Sequence, residues 1–215
     1  MNLQINAEYF YKAGLFTSTN KLRSVLQHVC IYDSEGKRFY VGGDGYGVIE
    51  LQEPIKGDAL PVKELLLRTP KSIGARIAKK AGHLNLTAAS PEIDFGKVLT
   101  DPNVFDGINY HKLDACLKWN EKEFPATIYK GNYFSYKNVM PIKDIGYDAA
   151  EINRLNSPFK KLITEKLGIP LDALRLFDRH PHQVCVMYTS ENMRFSYRTL
   201  KEHLWQQYYG KNAKK

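Results

Sequence analysis

Hydrophobic and polar positions change their period along the chain, and these changes predict helices and strands in alternating blocks. Residues 5–14 have the pattern of a short helix, with Asn6 as its N-cap and Gly14 as its stop. The segment 29–41 then consists of two β-rich runs joined by a polar turn that ends in Gly36, which predicts a hairpin. The chain is therefore expected to begin with a helix followed by antiparallel strands.

Two longer helices are predicted further along the chain. The first covers 62–81, where Pro70 should break or kink it. The second covers 148–167, where Asp148 is the candidate N-cap and Pro158 should kink or split the helix. Short β-rich runs predict strands at 45–51, 84–86, 93–99, 126–129, 174–177 and 184–188, and a last helix is expected at 199–209. This order predicts an α+β protein built from helices and antiparallel sheets.

Composition narrows the class of protein. The chain has 215 residues, of which 43% are hydrophobic and 25% charged, so it can bury the core of one large domain or two small ones. No apolar run approaches the roughly 20 residues of a membrane span, and the first residues lack the features of a signal peptide. Three widely spaced cysteines argue against a disulfide framework, so a cytoplasmic location is expected.

Positive charge is concentrated in parts of the chain. The net charge of +8 is compatible with a polyanionic partner such as nucleic acid. Residues 1–57 are neutral, whereas 62–81 carries six cations against Glu64 alone, and the last 25 residues are also basic. The candidate DNA-binding residues are the cations of the two longer predicted helices: Lys63, Arg68, Lys71, Arg76, Lys79, Lys80, Lys160, Lys161 and Lys166.

Several stretches resemble the bacterial DNA polymerase sliding clamp. Residues 22–31, followed by the hairpin and by Val41-Gly42-Gly43-Asp44-Gly45-Tyr46-Gly47-Val48, are similar to the middle domain of that ring-shaped protein. Tyr136-Lys137-Asn138-Val139-Met140-Pro141 is similar to the segment that closes this domain and starts the next, and 145–167 with the two strands that follow resembles the second half of a clamp domain.

The chain also departs from the family's pattern. Tyr46 and Gly47 stand where the family usually has His and Arg, which puts its usual partner motif in doubt. Tyr133-Phe134-Ser135 replaces a Phe-Pro-Asp tripeptide. Because the chain is shorter than a three-domain clamp, we expect the first clamp domain and part of the last to be missing.

The resemblance implies a fold and a function. We expect a clamp-like domain at 1–138 and a second, incomplete clamp-like unit at 139–215 that ends in a basic tail. Inward-facing basic helices would bind double-stranded DNA without reading its sequence. The protein would not be an enzyme and would need no catalytic residue, metal or cofactor. A closed ring of six domains would require a trimer of two-domain protomers.

The family's peptide-docking cleft can be carried over residue by residue. It maps to Gly45, Tyr46, Gly47, Val48, Val139 and Pro141. Such a cleft would accept a short linear peptide with apolar anchors, taken from a DNA polymerase or another clamp-binding partner in replication or repair.

Other interpretations stay open at this point. The glycine cluster at 42–47 suggests a phosphate loop, but β-type residues on both sides favour a turn between strands. Acidic pairs suggest a small metal-dependent nuclease or another DNA-processing enzyme, and the basic charge would be incidental in a phage or mobile-element regulatory protein. The residues that these alternatives and a metal site or nucleophile would use are Glu92, Asp94, Glu121, Glu123, Asp178, His180, His182, His111, Cys116 and Cys185.

Overall fold

A computed structural model describes residues 2–20, 22–89, 94–100, 112–129, 132–139, 143–153, 155, 157–180 and 183–200. The strands in these residues are Leu3–Asn6 (β1), Val29–Ser34 (β2), Lys37–Gly43 (β3), Gly47–Pro54 (β4), Leu65–Leu67 (β5), His83–Ala88 (β6), Lys112–Trp119 (β7), Lys122–Tyr129 (β8), Lys143–Gly146 (β9), Arg175–His180 (β10), Gln183–Thr189 (β11) and Met193–Leu200 (β12). The helices are Ala7–Gly14 (α1), Ala75–Ala81 (α2), Phe95–Thr100 (α3), Ala149–Asn153 (α4) and Ser157–Lys161 (α5), and α5 continues into a π-helical turn at Leu162–Leu167. The chain is an α+β protein, as predicted.

Two compact units share these elements. Unit 1 contains residues 1–45 and 49–134, and unit 2 contains residues 46–48 and 135–215. The strand order in unit 1 is β1-β6-β7-β8-β5-β2-β3-β4, and the order in unit 2 is β12-β11-β10-β9. The assignment of either unit to a particular clamp domain stays a prediction.

The first helix and the first hairpin follow the local signals in the sequence. The Asn6 side chain accepts a hydrogen bond from the Tyr9 amide at 3.0 Å, so the predicted N-cap is confirmed, and α1 ends at Gly14. Strands β2 and β3 are joined at Glu35 and Gly36, whose φ angles of 51° and 74° give the left-handed turn that suits a tight hairpin. Strand β1 occupies the residues before α1, so the helix begins later than expected.

The helix predicted over 62–81 is wrong. Leu65, Leu66 and Leu67 form β5, with at most 1% of any of them exposed, between β2 and β8. A strand that is covered on both faces buries consecutive side chains, and its run of apolar residues cannot be told from a helix by periodicity. Helix α2 begins only at Ala75, after the break that Pro70 imposes.

Two further predictions need correction. The expected strand at 93–99 is helix α3, because the Asp94 carboxylate accepts the amides of Gly96 and Lys97 at 3.1 and 3.3 Å and caps a first turn. The last helix, expected at 199–209, is contradicted at its start, since residues 199 and 200 end β12; residues 201–209 lie outside the described residues. Pairing with β11 makes residues 199 and 200 part of a strand. Such pairing does not follow from the propensity of the local sequence.

Most other predicted elements are confirmed. The helix over 148–167 starts where the Asp148 carboxylate accepts the Ala150 amide at 2.8 Å, and it is split before Pro158. It ends at Gly168, whose φ of 73° is a left-handed helix cap. The strands expected at 84–86, 126–129, 174–177 and 184–188 lie in or overlap β6, β8, β10 and β11, and that at 45–51 lies mainly in β4.

Strand β1 is held along one edge by pairing with β6, and along the other by a short main-chain bridge from Leu3 to Gly57 and by side chains of β3. On one side it pairs with β6, from Leu3 opposite Leu86 onwards. On the other side the Gln4 carbonyl accepts Arg38 Nη1 at 2.7 Å, and the Asn6 amide donates to the Tyr40 hydroxyl at 2.8 Å. Side chains of β3 therefore close unit 1 at a strand that would otherwise present an open edge.

The guanidinium of Arg38 is the centre of this closure. It is fully buried, and it makes two hydrogen bonds of 2.8 Å with the Asp33 carboxylate and one of 2.8 Å with the Asp58 carbonyl. Burial lowers the pKa of Arg38, but the hydrogen bonds and charge of Asp33, together with Tyr40 and Glu53, outweigh burial, so the pKa is raised. Each nitrogen of this cation donates at least one hydrogen bond, and the acceptors lie on β1, on β2 and in the loop after β4.

We predict that Arg38→Met lowers the free energy of unfolding by about 3–5 kcal/mol, because it leaves the Asp33 carboxylate and two carbonyls without their donor. The measurement is the urea midpoint followed by far-UV circular dichroism. Lys37→Met is the matched control, since Lys37 is exposed on the same hairpin and should change the midpoint little. Equal effects of the two substitutions would contradict this role for Arg38.

Candidate functional site

The six candidate cations of unit 1 lie on several short elements. Lys63 is in a bend, Arg68 follows β5 directly, Lys71 is in a turn, and only Arg76, Lys79 and Lys80 are helical. All six are exposed. The prediction of a single basic helix is therefore corrected to a loop of cations that leads into α2.

Helix α2 presents its cations on one face. Successive residues turn by about 100° around a helix, so Arg76, Lys79 and Lys80 lie on the same side. Ala78 points the opposite way and is buried, with 1% of its surface exposed. Because Ala78 packs against unit 1, the cations on the opposite side of α2 face the solvent.

A buried carboxylate fixes the position of α2 against α1. Glu53 accepts a hydrogen bond from the Asn6 side-chain amide at 2.8 Å, and its carboxylate also contacts Nε2 of His83, just after α2, at 3.1 Å. The Ala7 amide donates to the Gly82 carbonyl at 2.9 Å, which joins the start of α1 to the end of α2. The face of α2 that carries Arg76, Lys79 and Lys80 (the basic face) is therefore positioned by hydrogen bonds among β4, the start of α1 and the end of α2. Helix propensity alone would not position it.

The cations near α2 differ from other lysines of unit 1 in their partners. Lys12, Lys97 and Lys118 each form an ion pair with a nearby carboxylate, those of Lys12 and Lys118 at 2.8 Å. Within the described part of the chain, no such pair involves any of the six candidate cations of unit 1. Their charge is available to a polyanion.

The candidate cations of unit 2 are placed differently. Lys161 is exposed on α5 and Lys166 is exposed in the π-helical turn. Lys160 is half-buried, and its ammonium donates to the Asn153 carbonyl at 2.6 Å. Because Lys160 binds the carboxyl end of α4, it contributes to the structure of the helical segment, and Lys161 and Lys166 are the stronger candidates for phosphate contacts.

The residues of the predicted peptide site lie partly within the described chain. Gly42 and Gly43 end β3 and Gly47 begins β4, so the glycine cluster is a turn between strands, as predicted, and does not open a helix. Tyr46 is 63% exposed, whereas Val48 is buried. Val139 ends a 3-10 turn at Tyr136–Val139, and Pro141 lies outside the described residues. The site stays a prediction.

One neighbour of the Asp44–Gly45 turn was not among the predicted site residues. Arg23 Nη1 donates to the Asp44 carbonyl at 3.3 Å, which places the loop of Arg23 beside Gly45 in unit 1. The adjacent Leu22 is 93% exposed. No local signal links these residues, because they are about twenty positions apart in the sequence and only the folding of β3 brings them together.

Two carboxylates of the enzyme alternative have structural partners. Asp94 caps α3, and Glu123 pairs with Lys118 across the β7–β8 hairpin at 2.8 Å. Burial raises the pKa of the Cys116 thiol, which opposes its ionisation as a nucleophile. Glu92, His111 and His182 lie outside the described residues. Among the residues that are described, no group of three or more His, Cys, Asp or Glu side chains converges as a metal site would.

These features define the structural class. The protein is an α+β protein of antiparallel sheets and short helices, and α2 carries exposed cations on one face. No helix in the described parts of the chain is long and apolar enough to cross a membrane. No protein-family model and no curated protein matches the chain.

Solved structures identify the fold as that of the bacterial sliding clamp. The DnaN sliding clamp (DNA polymerase III subunit beta) from Pseudomonas aeruginosa bound to griselimycin superposes with a TM-score of 0.60 at 9% identity. A second structure of that subunit from the same organism gives 0.53 at 9% identity, and the beta subunit from Streptococcus pyogenes gives 0.50 at 12%. The matches cover 94–95% of this chain and 65–67% of those chains. The predicted clamp-like fold is confirmed.

Proposed function

We propose that the chain is a non-enzymatic, clamp-like protein that binds duplex DNA without regard to sequence. The observation that carries this proposal is the group of exposed cations at 63–80, none of them in an ion pair within the described residues, on a chain with the sliding-clamp fold. Lys and Arg that neutralise phosphates release counterions, which gives affinity without base readout. The cytoplasmic location expected from the sequence belongs to this proposal.

Docking of replication or repair partners is the second part of the proposal. An exposed Tyr46 beside a β-turn is the kind of aromatic anchor that linear peptides use. The Pseudomonas aeruginosa proteins of similar fold are the beta subunit of DNA polymerase III, and a polymerase peptide is therefore the first partner to test. A closed homo-oligomeric ring is the third part.

We expect replacement of Lys71, Arg76 and Lys79 by Gln to weaken duplex binding by roughly tenfold or more, equally for unrelated sequences. Each lost phosphate contact should reduce the slope of log affinity against log salt by about 0.9. Fluorescence anisotropy with two labelled duplexes, from low to physiological salt, measures both quantities.

The matched control removes charge elsewhere on unit 1. Lys37→Gln with Lys56→Gln changes two exposed lysines outside the 63–80 segment and should leave the salt slope unchanged. If the control and the triple variant had the same slope of log affinity against log salt, the 63–80 segment would not be the DNA-binding surface. Cleavage of either duplex in the presence of Mg²⁺ would contradict a non-enzymatic function.

We expect Tyr46→Ala to weaken binding of a short labelled peptide with Leu and Phe anchors by roughly five- to tenfold, because truncation of an aromatic anchor costs more than about 1 kcal/mol. Tyr147→Ala is the matched control, since Tyr147 is also a largely exposed tyrosine of unit 2, at 49%. Isothermal titration measures both affinities. Parallel losses in the two variants would argue against a site at Tyr46.

A further inference from the structure

Helix α1 lies beside the 63–80 segment, and both of its ends are fixed there. At its start the Ala7 amide donates to the carbonyl of Gly82, just after α2. At its end Gly14 is so close to Thr69, which precedes α2, that an added Cβ would be 3.0 Å from the Thr69 Cβ. The two helices also pack against each other. Helix α1 therefore lies antiparallel along the part of unit 1 that carries the candidate cations.

The two helices differ in charge. Helix α1 buries Ala7, Phe10 and Ala13. Its charged residues are one acid, Glu8, and one cation, Lys12, and successive turns of about 100° place both on the side away from the buried residues. Helix α2 carries three cations and no acid. The charges of α1 therefore cancel, although the helix borders a strongly basic surface.

Glu8 and Lys12 form an ion pair along α1. The carboxylate oxygen and the ammonium nitrogen are 2.8 Å apart, and the acid precedes the cation by four residues, which is the favourable order on a helix. The Lys12 side chain is 15% exposed, whereas the Glu8 side chain is 41% exposed. A phosphate that approaches α1 would therefore meet the carboxylate before the ammonium, and the carboxylate would repel it.

Two other lysine pairs of unit 1 leave the cation more accessible. In the β7–β8 hairpin, Lys118 is also 2.8 Å from its partner Glu123, but the Lys118 side chain is 44% exposed. Lys97 is 86% exposed, and its nitrogen is 3.8 Å from the Asp94 carboxylate. Of these three pairs, the one on α1 covers its cation most, and it lies beside α2.

We propose that Glu8 limits the strength of duplex binding by holding Lys12 away from the phosphates. This inference rests on the proposed function, and it adds one withheld cation and one opposing carboxylate to the surface at 63–80. A lysine that is paired with a carboxylate releases no counterion from DNA, so Lys12 adds nothing to the affinity while the pair lasts. Such a limit suits a protein that moves along a duplex, because every phosphate contact has to be broken at each step.

A purely structural role of this pair leads to a different expectation. Glu8 is in the first turn of α1 and Lys12 in the last, where each charge stabilises a helix by itself and through the pair. With that role alone, Glu8→Gln would lower stability slightly and leave DNA binding unchanged. The affinity of the variant for duplex DNA, and its dependence on salt, therefore separate the two roles.

The experiment compares the unsubstituted chain with Glu8→Gln, Lys12→Gln and the double variant. Fluorescence anisotropy with a labelled duplex measures the affinity from low to physiological salt. We expect Glu8→Gln to tighten binding roughly three- to tenfold at low salt and to steepen the slope of log affinity against log salt by about 0.9, because one more phosphate is neutralised. The double variant should return to the slope of the unsubstituted chain, and Lys12→Gln alone should leave that slope unchanged.

The matched control is Glu123→Gln, which releases Lys118 from a pair of the same length on the β7–β8 hairpin. This variant should keep the affinity and the slope of the unsubstituted chain. An equal gain in the control would assign the effect to net charge and overturn the inference. The urea midpoint of each variant, followed by far-UV circular dichroism, confirms that it is folded.

Three further results would also overturn the inference. The first is an unchanged slope for Glu8→Gln, and the second is a gain that persists when Lys12 is replaced as well. The third is a shallower slope for Lys12→Gln alone, which would mean that Lys12 already contacts a phosphate. If the unsubstituted chain bound no duplex at low salt, the proposed function would fail together with this inference. Binding by the unsubstituted chain with any of the three results would reject the role of Glu8 alone.

Discussion

The buried guanidinium of Arg38 is the interaction on which unit 1 depends most. A charge that is removed from water is tolerated when its donors find acceptors, and here one carboxylate and two carbonyls accept four hydrogen bonds. Those acceptors belong to β1, to β2 and to the loop after β4. The arginine therefore fixes where three distant segments lie, and the rest of unit 1 is arranged around that position.

The buried hydroxyl of Tyr40 extends this hydrogen-bond network of unit 1. The Tyr40 hydroxyl donates to Glu53 at 2.9 Å and accepts the Asn6 amide, and burial together with the Glu53 carboxylate raises the pKa of Tyr40 well above its ordinary value. The phenol stays a donor at every physiological pH. Since Glu53 also contacts His83, the network extends from the start of α1 to the strand that follows α2, and it thereby sets the orientation of the basic face.

The pairing of β1 with β6 and of β5 with β2 joins the two halves of unit 1, and this closed arrangement suits the proposed function. A protein that moves along DNA needs rigid walls and a surface of cations, and it needs no reacting group. The hydrogen-bonded network of Arg38, Tyr40 and Glu53 would give unit 1 that rigidity. In the proposed function the exposed cations at 63–80 supply that surface, and because they are exposed, salt would screen their attraction to phosphates.

The sequence by itself determined the features that depend on chemistry within a few residues. The Asn6 cap, the Glu35–Gly36 turn, the break at Pro158 and the stop at Gly168 are all present, because capping bonds and backbone preferences are local. The clamp-like fold could also be predicted, from short stretches that resemble a known family. The placement of the cations could be predicted only in part, since their exposure was expected but not the loop and short helix that carry them.

Tertiary structure decided the rest. The leucines of β5 fit a helix or a strand equally well, and β2 and β8, more than thirty and sixty positions away, made them a strand. Strand β12 forms because it pairs with β11. Arg38 can be buried because the Gln4 carbonyl of β1 accepts one of its hydrogen bonds. Strand pairing depends on partners that are distant in sequence, so no window of local residues contains the information that selects it.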